Sequence, residues 1–554
     1  MRRLIGFAAA LLLVQAAFGE TVLRIAPEPI AGFIEISSIR GLNEELKGLI
    51  GEMVPTGEEP EDPLAGILKG AFGGKYRGLA DLERMGFDVD GDLAILFPKA
   101  DLKNPIVMIN VADRAKLEAS LAALFVNPKT EIYSGVKYTR FQSGYCSIIR
   151  NVFIFTRSLD SLTAFVDMRR NTGPLLEGRG IELLKLDLPP NGADVIGYLN
   201  MGEVMKVYGP LIAELPRQIE QSGGPESARE MLRAQGMLFS EMLGQIELLG
   251  AEVELEGTDL LIDFSFKFKE GSELAGRLGA EPVPLDLFSQ LPPYSMVGAG
   301  DIKGMGDYMM RGVLKGRADE ALALFSEFQE GVGDLIAFAS RITPSPISES
   351  VYVYEVVDPA KVARYVESMP ELIKKAHQLF NLPSLEIEDV VRLNPSDYKG
   401  VAIEGYEISF KRPAPEGEGG QMKARIWYAL KGDRLIMGMG TSAEPTPVRD
   451  ALDAIEGGDS AYMNAGFGEL ADSALPGSSF LLLISPTSIL KAGLETLSSS
   501  DPNAAALYGL IKMAPERYGM AVSGAGEGSI WRVRMAMKLE EFKQLAAISA
   551  GMRK

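Results

Sequence analysis

The chain has 554 residues, 46% of them hydrophobic, a formal net charge of −19, one cysteine and one histidine. That length and apolar share can bury a large core spread over about two to four domains, while the negative balance repels nucleic-acid phosphates and anionic lipid head groups. The single cysteine, Cys146, excludes an internal disulfide, and the single histidine, His377, excludes zinc sites built on several imidazoles and most histidine-based catalysis.

Met1-Arg2-Arg3, the apolar run Leu4 to Phe18 and the small residues Ala17 and Gly19 predict a signal peptide over residues 1–19. The run is shorter than the roughly twenty residues a spanning helix needs, and no cysteine stands at the cleavage site to carry a lipid. The expectation is a soluble exported protein, periplasmic or extracellular, with no transmembrane segment once the signal is removed.

The mature chain reads as two α+β halves, 20–280 and 281–554. The first opens with a short strand, Gly32 to Ser37, that runs into a helical pattern from Leu42 to Met53. Asp88-Val89-Asp90-Gly91-Asp92 invites a calcium loop, but the glycine and glutamate of an EF-hand are replaced by Leu93 and Lys99, so a turn before the strand Leu93 to Phe97 is expected. Ile106 to Ile109 is strand-like, and Asp113 stands as the N-cap of the next helix. A meander follows over Gly135 to Tyr138 and Ile148 to Phe155. Asp194 to Tyr198 is a strand that leads straight into a helix. Ala228 to Leu243 is the cleanest amphipathic helix, with Met231, Leu238 and Met242 on one face and Glu230, Arg233 and Glu241 opposite. A hairpin turning at Glu256-Gly257 closes the half.

Prolines from Pro282 to Pro293 mark the boundary. The second half repeats the order: Tyr294 to Ala299 as a strand, a short helix from Tyr308 to Val313, Val351 to Tyr354 as a strand, Asp358 as an N-cap, and a meander over 403–410, 424–429 and 435–439. Pro413 to Gly420 reads as an exposed loop. Phe480 to Ile484 enters a helix, and Glu527-Gly528 turns the last hairpin. The counterpart of the 228–243 helix is expected in 321–338 or 372–380.

The echo is also written in residues. Asn110-Val111-Ala112-Asp113-Arg114-Ala115-Lys116-Leu117 returns as Glu355-Val356-Val357-Asp358-Pro359-Ala360-Lys361-Val362, and Tyr133-Ser134-Gly135-Val136 as Tyr398-Lys399-Gly400-Val401. A single echo at this distance means two related halves, not a solenoid. Meanders interrupted by helices predict an α+β class with mainly antiparallel sheets covered by helices; a doubly wound parallel sheet is the alternative.

Candidate chemistry is sparse. Ser488-Ile489-Leu490-Lys491 has the S-x-x-K spacing of penicillin-binding proteins and β-lactamases, but Tyr462-Met463-Asn464 precedes it instead of following, and Lys129-Thr130 is followed by Glu131 where a third motif needs glycine. Gly298-Ala299-Gly300-Asp301-Ile302-Lys303-Gly304 misses the dinucleotide spacing by one residue, which leaves close packing as its reading. Cys146 is expected to be a buried small hydrophobe and His377 a surface residue. No catalytic residue, cofactor or metal site is assigned. The remaining unusual feature is methionine, 24 in all, with Met201, Met205, Met231, Met242, Met305, Met309 and Met310 in amphipathic segments that suit an adaptable apolar surface.

The export signal, the twofold pattern of strand, capped helix and Tyr-x-Gly-Val meander, and the want of catalytic motifs resemble uncharacterised secreted bacterial proteins grouped as domains of unknown function. That resemblance implies no activity and no site residues. The expectation is a non-enzymatic binding or scaffolding protein with a protein or apolar ligand as partner. A carrier of a lipid-like ligand and a carboxylate-dependent hydrolase, whose two acids would stand about 5 to 10 Å apart, are the alternatives.

Overall fold

The computed structural model describes residues 26, 30–53, 63, 78–124, 127–141, 144–171, 195–221, 226–256, 259–277, 281–301, 319–343, 347–380, 386–411, 421–498 and 501–543. The chain is mixed helix and strand and forms two compact units, residues 1–211 with 244–269 and 550–554, and residues 212–243 with 270–549. The predicted signal peptide lies outside the described residues. Among those described, no helix is long and apolar enough to cross a membrane.

The first unit has strands β1 (Gly32–Ile36), β2 (Leu93–Phe97), β3 (Ile106–Asn110), β4 (Lys129–Tyr133), β5 (Val136–Phe141), β6 (Gly144–Ile149), β7 (Val152–Thr156), β8 (Val195–Asn200), β9 (Ile246–Glu256) and β10 (Asp259–Phe268). Its helices are α1 (Ile39–Met53), α2 (Leu79–Met85), α3 (Arg114–Leu124) and α4 (Leu159–Asn171); α5 (Met201–Gln221) begins here, and α6 (Glu226–Gln245) follows it in the chain. The strands pair in the order β4-β5-β6-β7-β3-β2-β1-β8-β9-β10, every neighbour antiparallel. The antiparallel arrangement, not the doubly wound one, is therefore the fold.

Strand periodicity sends alternate side chains to opposite faces. Ile36, Leu93, Ile109, Cys146, Phe153, Phe155 and Val195 fall on one face and pack with Ile39 and Leu42 of α1, Leu79, Leu82 and Met85 of α2, and Leu117 and Leu121 of α3. The opposite face is buried as well: Phe33, Glu35, Ala94, Leu96, Met108, Ile154, Ile196 and Tyr198 are all under 9% exposed. Burial on both sides explains why β7 reads Val-Phe-Ile-Phe-Thr with no polar alternation.

The second unit has β11 (Met296–Asp301), α7 (Asp319–Gly331), β12 (Val332–Arg341), β13 (Glu349–Val356), α8 (Pro359–Phe380), β14 (Glu386–Arg392), β15 (Ser396–Tyr398), β16 (Val401–Lys411), β17 (Gln421–Lys431), β18 (Arg434–Gly440), α9 (Thr446–Ile455), α10 (Phe467–Asp472), β19 (Phe480–Ile484), α11 (Pro486–Ser498), α12 (Pro502–Ile511), β20 (Met520–Glu527) and β21 (Ile530–Lys538). Both β14 and β15 pair with β16, and the order continues β16-β17-β18-β13-β12-β11-β19-β20-β21, again antiparallel throughout. The order of pairings is the same as in the first unit.

One expectation is corrected. The helix read over 321–338 stops at Gly331, and residues 332–341 form β12, whose Ile336, Ala337 and Phe338 pair with both β11 and β13. Glycines at 331 and 333 break the helical pattern, and ladder hydrogen bonds on both sides outweigh the helix preference of the alanines. In element order it is α11 and α12, after β19, that take the place of α5 and α6 after β8.

The repeated motifs turn out to be joints. Asp113 Oδ1 accepts the N–H of Lys116 at 3.0 Å, and Asp358 Oδ1 accepts those of Ala360 at 3.0 Å and Lys361 at 3.3 Å, so each is an N-cap. The carbonyl of Gly86 accepts the N–H groups of Ala112 and Asp113, and that of Gly331 accepts those of Val357 and Asp358. Each Tyr-x-Gly-Val is a hairpin turn with two positive φ values, 49° and 82° at Ser134 and Gly135 and 52° and 79° at Lys399 and Gly400, which matches a type I′ turn. Its tyrosine reaches the helix after the meander: Tyr133 Oη donates to Asp167 at 2.8 Å, and Tyr398 Oη to Asp453 at 2.9 Å. Because the cap hydroxyl or carboxylate satisfies otherwise orphaned N–H groups, Asp358→Ala is expected to destabilise the protein by about 1 kcal/mol and Asp358→Asn by much less, measured by urea unfolding; equal losses would remove the capping account.

Candidate binding cleft

A cleft of about 270 Å³ opens in the first unit between α3 and the strands β4, β5 and β6, lined by Arg114, Glu118, Leu121, Ala122, Pro128, Thr130, Lys137, Thr139, Cys146, Ser147 and Ile148. Its geometry follows from two local facts. The Asp113 cap and the Gly86 carbonyl fix where α3 starts, and the type I′ turn sets the register that places Thr130 opposite Thr139 and Thr139 opposite Cys146. Those three residues therefore share the sheet face that α3 covers. Small side chains there leave the gap.

The floor is apolar and closed, with Leu121 7% and Cys146 4% exposed. Burial pushes the Cys146 thiol up to about 12, so it is a neutral, unreactive surface and not a nucleophile. Ser147 Oγ donates to the Lys137 carbonyl at 2.7 Å, a bond that ties β5 to β6. At the mouth Arg114 pairs with Glu118 one helical turn away at 2.9 Å, both about half exposed, an ion pair of little energetic weight. Lys137 stands across from them on β5.

The other candidates resolve differently. Ser488 Oγ donates to Glu516 Oε2 at 2.8 Å, and Lys491 Nζ donates to Glu516 Oε1 at 2.9 Å. Burial pushes the Glu516 carboxyl up, but the hydrogen bonds from Lys491 and Ser488 outweigh it and hold it below the usual carboxylate range. Lys491 Nζ also donates to the Ala514 carbonyl at 2.7 Å, so serine and lysine are each tied to Glu516 and not arranged as a nucleophile and its base. Asp88 Oδ1 accepts the N–H groups of Asp90 and Gly91, which makes the 88–92 segment a turn. A Cβ on Gly298 would lie 2.6 Å from the Phe338 ring, which accounts for that glycine by packing; residues 302–304 lie outside the described residues.

Among the described residues of the first unit, Glu35 and Asp92 are the buried acids, 1% and 2% exposed. Burial first, and the Asp92 charge second, push the Glu35 carboxyl well above its ordinary range. A hydrolase needs its acids in an open cleft, and these two are sealed. Among the described residues no group of three His, Cys, Asp or Glu side chains is placed to hold a metal.

Of the predicted methionines, Met201 is buried at the start of α5, and Met205 and Met242 are half-buried. None of these three lines the cleft. The side chain of Met231, and Met305, Met309 and Met310 entirely, lie outside the described residues, as does the side chain of His377. The residues that do line the cleft carried no signal in the sequence; beside them Ile132, in the strand Lys129–Tyr133, is 74% exposed.

No family model matches the chain, and no curated protein matches it. Among solved structures, crystal form IV of TP0453 is 11% identical with a TM-score of 0.25, over 48% of this chain and 88% of that one. Crystal form III of TP0453 gives 11%, 0.24, 48% and 90%, and crystal form I gives 10%, 0.23, 46% and 81%. The functional reading therefore rests on this chain's own residues.

Proposed function

We propose that the chain is an exported, non-enzymatic binding protein made of two related α+β halves, of which the first keeps its ligand site in the cleft beside α3. Support for the relation comes from walking the ladders. Val136 and Val401 each follow a Tyr-x-Gly turn; three residues on, Thr139 pairs with Cys146 and Glu404 with Tyr428. Cys146 pairs with Phe155 and Phe155 with Val107, Tyr428 pairs with Met437 and Met437 with Tyr352, and six residues beyond Val107 and Tyr352 stand Asp113 and Asp358. The walk continues from Val107 through Ile95, Ile34 and Gly197 to Ala251, and from Tyr352 through Phe338, Gly298 and Leu482 to Val522. Those end points precede Glu256-Gly257 and Glu527-Gly528 by the same five residues.

The observation that carries the binding reading is what occupies the equivalent place in the second half. Where the first has Thr139 and Cys146, the second has Glu404 and Tyr428, with Tyr428 Oη donating to Glu404 at 2.9 Å and Arg392 closing on the same carboxylate. Tyr428 packs against the cluster of Phe328, Tyr354 and Val366. One half is filled with a packed aromatic and its ion pair; the other is open over the same framework.

Ala122 is exposed on α3 and lines the cleft, so Ala122→Phe should block the space while leaving the core untouched. A fragment library screened by ligand-observed NMR against the full mature chain is expected to give hits that Ala122→Phe abolishes. Hits of equal strength on both proteins would overturn the assignment of the site.

A further inference from the structure

We infer that the cleft takes a small organic anion with an apolar body, its charged head at Lys137 and its tail over Ile148, Cys146 and Leu121. This rests on the cleft being the binding site, as proposed above. Its lining holds two cations, Arg114 and Lys137, against one carboxylate, Glu118, and that carboxylate is already engaged by Arg114. A surplus positive charge at this place contrasts with a formal charge of −19 on the whole chain, so a local feature, not the overall field, selects for an anion.

The second half again supplies the comparison. Ile132 and Lys137 are cross-strand partners beside the type I′ turn. Counting from the shared turn, their equivalents are Asp397 and Ala402, which are themselves partners. Asp397 there does ordinary work, accepting the Gly400 N–H at 3.1 Å within the turn. The first half has replaced that turn-stabilising carboxylate by an isoleucine left 74% exposed, and the alanine by a lysine. Both exchanges lie on the sheet face that carries the cleft, because Thr130 and Ile132, and Lys137 and Thr139, are each two residues apart on one strand. An exposed β-branched side chain next to a lysine is unfavourable for a bare surface and suited to a ligand that is apolar along its length and anionic at one end. At about 270 Å³ the space lies just below the roughly 300 to 1,000 Å³ of pockets for drug-sized molecules, which limits the tail to a short one.

The test is calorimetric titration of the full mature chain with octanoate, octanol, octyl phosphate and acetate. Octanoate is expected to bind, with acetate failing for want of a tail and octanol weaker for want of a charge. Lys137→Gln should weaken octanoate about tenfold, the loss of one charge-assisted contact, and leave octanol unchanged; added salt should weaken octanoate only. Ala122→Phe should remove both, with circular dichroism showing the fold retained. Octyl phosphate in place of octanoate as the tighter ligand would specify a phosphate head and keep the class. Octanol binding as well as octanoate, with Lys137→Gln silent, would overturn the anion while leaving the cleft intact as a site. Binding of octanoate that Ala122→Phe does not disturb, or no binding of any of the four, would overturn the proposal at the cleft itself.

Discussion

Glu35→Met should raise the stability of the first unit at neutral pH by about 1 to 3 kcal/mol, the range for relieving a buried polar group that lacks a partner. Glu35 lies on β1 between Ala94 of β2 and Ile196 of β8, both fully buried, and its Oε2 finds no hydrogen-bond partner among the described residues. The same face presents Asp92 just ahead of β2, whose charge adds to the rise of the Glu35 carboxyl, and Glu252 of β9. Methionine is close to glutamate in length, asks for no hydrogen bond and adapts to the space. Glutamine would keep the unmet polar demand, so it should recover only part of the gain.

The pH dependence follows from the direction of the shift. Burial raises the Glu35 carboxyl above 4.5, its ordinary value, so between 4.5 and the raised value the folded chain holds a proton that the unfolded chain has lost. Stability contributed by the neutral acid is complete below 4.5 and falls as the pH rises through that window, by up to about 1.4 kcal/mol per pH unit for one proton. Urea unfolding from pH 4 to pH 8 should show this decline in the wild type and its loss in Glu35→Met. An unchanged slope together with no gain at pH 7 would mean that the carboxylate is solvated or paired after all.

Gly86→Ala should be the most damaging small substitution in the same unit, at about 2 to 5 kcal/mol. Gly86 ends α2 with φ at 105°, a region that costs an L-residue about 1 to 2 kcal/mol. Its added Cβ would also lie 2.4 Å from the Asp113 carbonyl oxygen and 2.9 Å from the Leu117 nitrogen, both backbone atoms that cannot rotate away, and such overpacking costs about 1 to 3 kcal/mol more. Gly135→Ala separates the two effects, since Gly135 has φ at 82° but open space where its Cβ would go. Denaturation curves should rank Gly86→Ala well below Gly135→Ala, and similar losses for the two would show that the close approach to α3 is not rigid. Because Gly86 seats the start of α3, the larger loss should come with loss of binding in the cleft.

How much of this was legible beforehand can be traced residue by residue. Asp113 and Asp358, Gly135 and Gly400, and the Glu527-Gly528 turn were visible because caps and turns are decided by energies within a few residues of the chain, while the turn at Glu256-Gly257 runs into residues 257–258, outside the described residues. The α+β class and the antiparallel meanders follow from the same punctuation. Cys146 as a buried apolar side chain and the 88–92 segment as a turn were also readable. Residues 332–338 misled because Leu335, Ile336, Ala337 and Phe338 fit a helical face as well as a strand, and only their partners on β11 and β13 settle the matter.

The methionines drew attention through their number, whereas the cleft is made by what is small: Thr130, Thr139, Ala122 and Cys146. Nothing in those letters stands out, since an absence of bulk becomes visible only once α3 and the strands facing it are in place.

By itself the sequence determined the local joints of this protein, its helix caps and hairpin turns, because each is set by neighbours along the chain. Only the tertiary structure decided that β7 lies against β3 and β8 against β1, that Glu35 is buried between β2 and β8, and that α3 stands off β4 to β6 far enough to leave a cleft. Those depend on contacts between residues far apart in sequence, where register, face and the volume of facing side chains are settled together and no local signal records the outcome.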